Sequence, residues 1–196
     1  MLCIKRAFDF FISLIGFIIV SPALIVLALL VKVTSRGPVF YRQERVGLEG
    51  RIFKLLKFRT MVMNADELGT SVTVKNDFRI TLAGRFLRRF KLDELPQLIN
   101  VLRGDMSFVG PRPDVPGFAD KLTGKDRIIL SVRPGVTGPA TLKYRNEEEL
   151  LAKQADPNRY NAEVIYPDKV RLNREYVENY SFWKDIGYII RTIVGK

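Results

Sequence analysis

From Phe10 to Val31 the chain runs for 22 residues without a charged side chain. As a straight helix this stretch would measure about 33 Å, close to the hydrocarbon thickness of a bilayer. Lys5 and Arg6 precede it, and Lys32, Arg36, Arg42 and Arg45 follow it. Both flanks are basic, so the positive-inside tendency asks for both on the cytoplasmic side. Ser21-Pro22 sits in the middle. Pro22 cannot donate to the Ile18 carbonyl and pushes it away, while the Ser21 hydroxyl can satisfy a loosened carbonyl in the preceding turn. These features predict a re-entrant helix-break-helix over residues 1–34, in preference to a kinked spanning helix or a buried soluble helix. A signal peptide fits poorly: the run is long for one, and Val31-Lys32-Val33 offers no small-residue cleavage site.

Beyond the run the pattern becomes globular. Ser35 to Pro38 reads as a turn, Val39 to Gln43 as an extended piece and Gly47 to Gly50 as a second turn. Arg51 to Arg59 alternates imperfectly, like a half-buried strand. Thr60 is expected to cap a short helix through Leu68, with a loop from Gly69 to Asp77. Phe78 to Phe90 has helical spacing, and Leu95 to Leu102 forms a second helix stopped by Gly104. Asp105 to Pro113 reads as loop, Pro116 to Leu130 as a stretch containing a helix, and Arg133-Pro134-Gly135 and Gly138-Pro139 as turns. Helices are expected over Glu147 to Ala155 and Asp168 to Asn179, and from a Ser181 cap onward. In that last helix Phe182, Trp183, Ile186, Ile189, Ile190 and Ile193 form a stripe that suits a membrane interface or a protein core equally. The fold class is α+β and mostly helical: a membrane hairpin over 1–34 and a globular domain over 35–196 that includes the C-terminal amphipathic helix.

Charge narrows the partners without choosing among them. The net charge of +11 suits nucleic acid, anionic lipid or polyphosphate. The absence of histidine removes imidazole bases and His-ligated metals. A single cysteine, Cys3, removes intrachain disulfides and thiolate clusters. What remains is oxygen and nitrogen chemistry, with a hard ion such as Mg²⁺ if a metal takes part.

The stretch Leu92-Asp93-Glu94-Leu95-Pro96-Gln97 places two carboxylates at the predicted start of a helix, after Arg85, Arg88, Arg89 and Lys91. Asp93 can be read as an ordinary N-cap. It can also be read as a nucleophile, because a helix N-terminus with nearby guanidinium groups holds phosphate beside it and keeps it ionised. Arg88 lies about one helical turn upstream, and Arg112 lies on the stiff Pro111-Arg112-Pro113 loop. That loop fits phosphate or nucleotide recognition, or a polyproline-like connector with a solvated arginine. Glu94 is a candidate Mg²⁺ ligand or a plain first-turn acid. Lys57 and Arg59 offer a second phosphate contact or a solvated strand face. Tyr166-Pro167-Asp168 is a weaker acidic candidate.

Together these residues resemble the bacterial sugar transferases of the small, monotopic phosphoglycosyl transferase type. The likeness runs through Ser21-Pro22, Lys57-Phe58-Arg59-Thr60-Met61, Asp77 to Thr81, Gly84 to Arg88, Leu92 to Gln97, Asn100-Val101-Leu102, Gly104 to Ser107, Val109 to Pro113 and Arg133 to Gly138. It implies transfer of a phosphosugar from a UDP-sugar to a polyprenyl (undecaprenyl) phosphate with release of UMP, the first membrane step of glycoconjugate assembly. It implies Asp93 as nucleophile, Mg²⁺ at Asp93 and Glu94, and a substrate site of Arg88, Arg112, Pro111, Pro113, Lys57, Arg59 and Gln97. It also implies a re-entrant helix broken at Ser21-Pro22, amphipathic helices in the lipid interface, and a position on the cytoplasmic face of the bacterial inner membrane. The chain departs from relatives at Pro139-Ala140-Thr141, at Asn173 where an acid is expected, and in the length of Glu147 to Asp168; these differences bear on sugar identity. The competing reading is a membrane-anchored basic module for nucleic acid, although no helix-turn-helix, RNP or zinc pattern supports it.

Overall fold

The computed structural model describes residues 2–65, 68 and 77–195. It opens with helix α1 (Leu2–Thr34), followed by the antiparallel hairpin β1 (Phe40–Val46) and β2 (Ile52–Phe58). Helix α2 (Leu82–Arg89), a single 3-10 turn (Leu92–Glu94) and α3 (Gln97–Arg103) come next. A short parallel pair joins β3 (Ser107–Val109) to β4 (Gly135–Thr137) across two 3-10 segments, Ala119–Lys121 and Gly124–Ser131. Helices α4 (Pro139–Lys143), α5 (Glu147–Leu151), α6 (Pro157–Tyr160), α7 (Tyr166–Glu178) and α8 (Phe182–Val194) complete the chain. The mostly helical α+β class expected from the sequence is found.

Among the described residues α1 is the one helix long and apolar enough to cross a membrane. It is helical through Pro22, and the Ser21 hydroxyl donates to the Ile18 carbonyl at 2.8 Å, the acceptor that proline leaves without its amide. One face docks along the globular body. Near its start Lys5 pairs with Asp185 of α8, and the Asp9 carboxylate accepts from the Phe108 amide at 3.1 Å. Arg6 donates to the Val101 and Leu102 carbonyls at 2.6 and 2.8 Å, placing a cation on the C-terminal end of α3. Near its end Leu27 and Val31 pack with Phe58 and Leu87. The remaining face, including Phe11, Ile15, Ile18, Ile19, Ile25, Val26 and Leu29, is exposed.

Several elements differ from the sequence expectation. Thr60 to Asn64 is not helical: Met61 bridges to Ile80, and the Thr81 amide donates to the Thr60 carbonyl at 2.9 Å. The end of that expected helix, and the loop from Gly69 up to Asp77, fall largely outside the described residues. Helix α2 starts at Leu82, because Thr81 caps it by accepting from the Gly84 amide. Gly84 itself presses on Thr60, and a Cβ there would sit 2.0 Å from the Thr60 carbonyl oxygen. The expected Asp105–Pro113 loop contains β3, and β4 begins at Gly135, the last residue of the expected Arg133-Pro134-Gly135 turn. Each is three residues long, too short for a visible alternation. The helix expected over Glu147 to Ala155 ends at Leu151, and Pro157 opens the next one with Asp156 as its cap. Ser181 stands at the N-cap of α8 but makes no capping bond.

Candidate active site

Helix α2 ends after its basic turn. The chain then reverses through Lys91, whose φ of 56° is left-handed, an uncommon conformation for a side chain of that size. The 3-10 turn that follows carries Asp93 and Glu94 and winds directly into α3 through Leu95 and Pro96, both in helical conformation. Asp93 is therefore inside a turn and caps nothing, which corrects the N-cap reading. Its side chain is buried, and Oδ1 has no hydrogen-bond partner among the described residues. Burial pushes the Asp93 carboxyl above the ordinary aspartate value; Lys57, Arg88 and Lys91 oppose that, while Glu94 adds to it. The cations were expected to dominate, but desolvation outweighs them in this geometry.

Glu94 has the opposite character. Its Oε1 accepts from Lys57 Nζ at 3.0 Å and from Arg112 Nη2 at 2.8 Å. Burial alone would raise its pKa, but Arg112 and Lys57 hold it well below the carboxylate range. Two cations from distant segments thus converge on one oxygen. Lys57 comes from β2 and Arg112 from the loop after β3, where its side chain keeps 39% of its surface in solvent. The Lys57 ammonium is lowered by burial and raised again by Glu94. Arg112 is raised, chiefly by Glu94.

The loop is held by backbone. Pro111 and Pro113 are buried, the Pro111 carbonyl accepts from the Gly135 amide at 2.8 Å, and Gly110 donates to Thr137 at 2.9 Å. Gly110 and Gly135 touch so closely that a Cβ on Gly135 would lie 2.1 Å from the Gly110 nitrogen. The sequence segments around Gly110 and Gly135 therefore form one construction, which their separation along the chain concealed.

Of the expected site residues, Asp93, Glu94, Lys57 and Arg112 come together. Arg88 stands half-buried in the last turn of α2, within the electrostatic reach of Asp93. Gln97 is buried in the first turn of α3. Arg59 goes elsewhere: it is buried, with Nη2 donating to the Ser35 carbonyl and hydroxyl at 2.8 and 2.7 Å, so it secures the exit of α1. Asp168 accepts from Lys143, Tyr144 and Arg171 at 2.6, 2.7 and 2.8 Å, tying α4 to α7. Asn173 is buried in α7.

Sequence reasoning named Asn100 only within a motif and gave it no role. This fully buried side chain accepts from the Leu56 amide at 3.0 Å and donates to the Lys54 carbonyl at 2.8 Å. It pins to α3 the strand that carries Lys57. A lone asparagine within an apolar helical stretch was the available signal. Arg45 and Asp114 were also missed, because their contacts join β1 to a loop far along the chain.

The donor set bears on a metal. Among the described residues no group of three or more His, Cys, Asp or Glu side chains could hold an ion. Magnesium bound chiefly through substrate phosphates needs only one or two carboxylates. The buried, unpartnered Asp93 Oδ1 beside Glu94 fits that limited demand.

Comparison with known proteins gives the family. The model of the bacterial sugar transferase family matches residues 1–195. The UDP-glucose:undecaprenyl-phosphate glucose-1-phosphate transferase of Escherichia coli is 39% identical over 195 residues, 97% of this chain and 39% of that protein. The UDP-N-acetylgalactosamine-undecaprenyl-phosphate N-acetylgalactosaminephosphotransferase of Aeromonas hydrophila is 35% identical over 193 residues, 97% of this chain and 43% of that protein. The chain thus spans about two fifths of the length of these two relatives. It covers 83% of the exopolysaccharide production protein ExoY of Sinorhizobium fredii, at 35% identity over 204 residues. The chain belongs to the bacterial sugar transferase family.

Proposed function

We propose that this chain transfers a phosphosugar from a UDP-sugar to a polyprenyl (undecaprenyl) phosphate, releasing UMP, in two displacements at one phosphorus. An Asp93 carboxylate oxygen attacks the phosphorus that bears the sugar. The bond from that phosphorus to the bridging oxygen breaks, and UMP leaves with the oxygen. A phosphate oxygen of the polyprenyl phosphate then attacks the same phosphorus, expels Asp93 and forms the polyprenyl diphosphate sugar. The observation that carries this reading is a buried carboxylate oxygen on Asp93 with no partner among the described residues, beside Glu94 and the two cations gathered on it.

Arg112 and Lys57 are charged partners that a diphosphate can share with Glu94, since guanidinium and ammonium donors pair with phosphate as they do with carboxylate. Arg88 holds the phosphate side near Asp93. Mg²⁺, held by Glu94 with Asp93 and the donor phosphates, would neutralise the oxygens of the departing UMP. With such an ion bound, the cations around Asp93 would be joined by a further positive charge offsetting the desolvation that disfavours its charged form.

The protein works as a monotopic enzyme on the cytoplasmic face of the inner membrane. Basic flanks on both sides of the apolar run, and attachment of both ends of α1 to one body, support a hairpin that returns to its side of entry. The substrates in these relatives' names, UDP-glucose and UDP-N-acetylgalactosamine, set the donor class to try first.

The test is Asp93→Asn. Incubated with a UDP-sugar alone, the native protein should release UMP and gain the mass of a phosphosugar. The variant should do neither while staying in the membrane fraction. Full turnover by the variant would remove the nucleophile from the scheme.

A further inference from the structure

Arg112 reaches Glu94 from the Pro111–Asp114 loop, whose first carbonyl is held by the Gly135 amide of β4. Two bonds from β1 hold its other end. Arg45 Nη1 donates to the Pro113 carbonyl at 2.9 Å, and the Val46 amide donates to the Asp114 carbonyl at 2.9 Å. The other two nitrogens of Arg45 are engaged as well: Nε and Nη2 both reach Gln43 Oε1, at 3.2 and 2.6 Å. Gln43 thereby orients the guanidinium plane, and only one edge points at Pro113. Strand β1 also pairs with β2 in a register that sets Tyr41 opposite Lys57 and Arg45 opposite Phe53. One hairpin therefore carries Lys57 directly and braces the Arg112 loop through Arg45.

We propose that Arg45 is a positioning residue: it clamps the Pro111–Asp114 loop so that Arg112 is presented, together with Lys57, to the donor's diphosphate. The inference rests on the phosphate role given to Arg112 above. Arg45 itself touches backbone and Gln43, not the dyad. Its charge opposes that of Arg112, and Asp114 lies in the field of both. A cation placed there costs something electrostatically, and its fork of donors repays that by fixing the loop.

The experiment is a double-mutant cycle on UDP binding, read by calorimetry on the full chain in lipid nanodiscs, with melting temperatures recorded alongside. Arg45→Ala and Arg112→Ala should each weaken UDP binding by about tenfold, the loss expected for one charge-assisted bond. The doubly substituted protein should bind no worse than Arg112→Ala, because a clamp matters only if there is an Arg112 to aim. Gln43→Ala, a milder change that keeps the charge, should give a smaller loss that likewise vanishes in the Arg112→Ala background. Lysine at position 45 should rescue only in part, since it lacks the fork. Losses that multiply in the double variant overturn the clamp, as does Arg45→Ala binding UDP like the native protein while Arg112→Ala does not. If Arg112→Ala binds UDP normally, the phosphate role fails and this inference falls with it. Should Arg45→Ala fail to fold, the Gln43→Ala cycle decides alone.

Discussion

At the scale of single residues, the site is built by setting neighbouring carboxylates in unlike environments. Asp93 and Glu94 are adjacent, yet burial pushes one up and two cations hold the other down. That division separates a group with a free oxygen from a group that organises charge, the pattern by which paired acids take different roles. Asp114 adds a third case: desolvation outweighs Lys169, Arg45 and Arg112 and raises it to about 6 from an ordinary 3.8. The sign follows. Between those values the folded protein keeps a proton that the unfolded chain has lost, so this group's contribution to stability falls as pH rises from about 4 to about 6. Asp114→Asn, which cannot lose a proton, should therefore gain on the native protein over that interval and keep its advantage at neutral pH. Thermal melts of both proteins from pH 4 to pH 7.5 measure this, and parallel curves would show that Asp114 titrates normally.

At the scale of elements, what could be read from the sequence was whatever is local. The apolar run, the β1–β2 hairpin and α3 with its Gly104 stop follow from spacing and turn residues, and so does the Asp93-Glu94 turn as a place of interest. What could not be read depends on contacts across the chain. β3 and β4 are three residues each and exist because Gly110 and Gly135 allow two backbones to touch. Arg59 looked like a partner of Lys57, two positions away on the same strand face, but its long side chain turns toward Ser35. For α1, the Ser21 bond to Ile18 was anticipated, and the direction taken after Pro22 is testable. In a Cys3→Ser background, Ile4→Cys and Val33→Cys, both at exposed positions, should react with an impermeant maleimide in inverted membrane vesicles and not in intact cells. Pro22→Ala, which restores a backbone donor, should expose position 4 to the outside in part of the population. Labelling of the two cysteines from opposite sides in the otherwise native protein would replace the hairpin with a span.

At the scale of the whole molecule, the apolar surfaces uncovered among the described residues include the outer face of α1, the side of α2 that carries Leu82 and Phe86, and the side of α8 that carries Trp183, Ile190 and Ile193. Patches of this kind on a protein with net charge +11 suit an anionic bilayer surface. Helix α8 packs one side on the core and leaves the other exposed. Asp185 is buried under α1 and Phe182 packs edge-on against Phe8 at 5.3 Å, while Trp183 remains 80% exposed. Trp183 is the sole tryptophan, so its fluorescence reports this surface without ambiguity. In vesicles containing anionic lipid its emission should shift to the blue and be quenched by lipids brominated near the headgroup. Emission like that of tryptophan in water, quenched by dissolved acrylamide, would place α8 away from the bilayer.

The pairing of Lys5 with Asp185 has a consequence for how the protein comes into being. The first helix supplies the counter-ion for a buried acid near the far end of the chain, neutralises the tail of α3 through Arg6, and fills the space above Phe58 and Leu87. Cutting it away to make a water-soluble enzyme would leave an unmatched charge and a hole beside the strand that carries Lys57. The docking of α1 and the seating of the Lys57 strand are thus coupled: a chain whose first helix is out of place lacks the support behind Phe58 and Leu87.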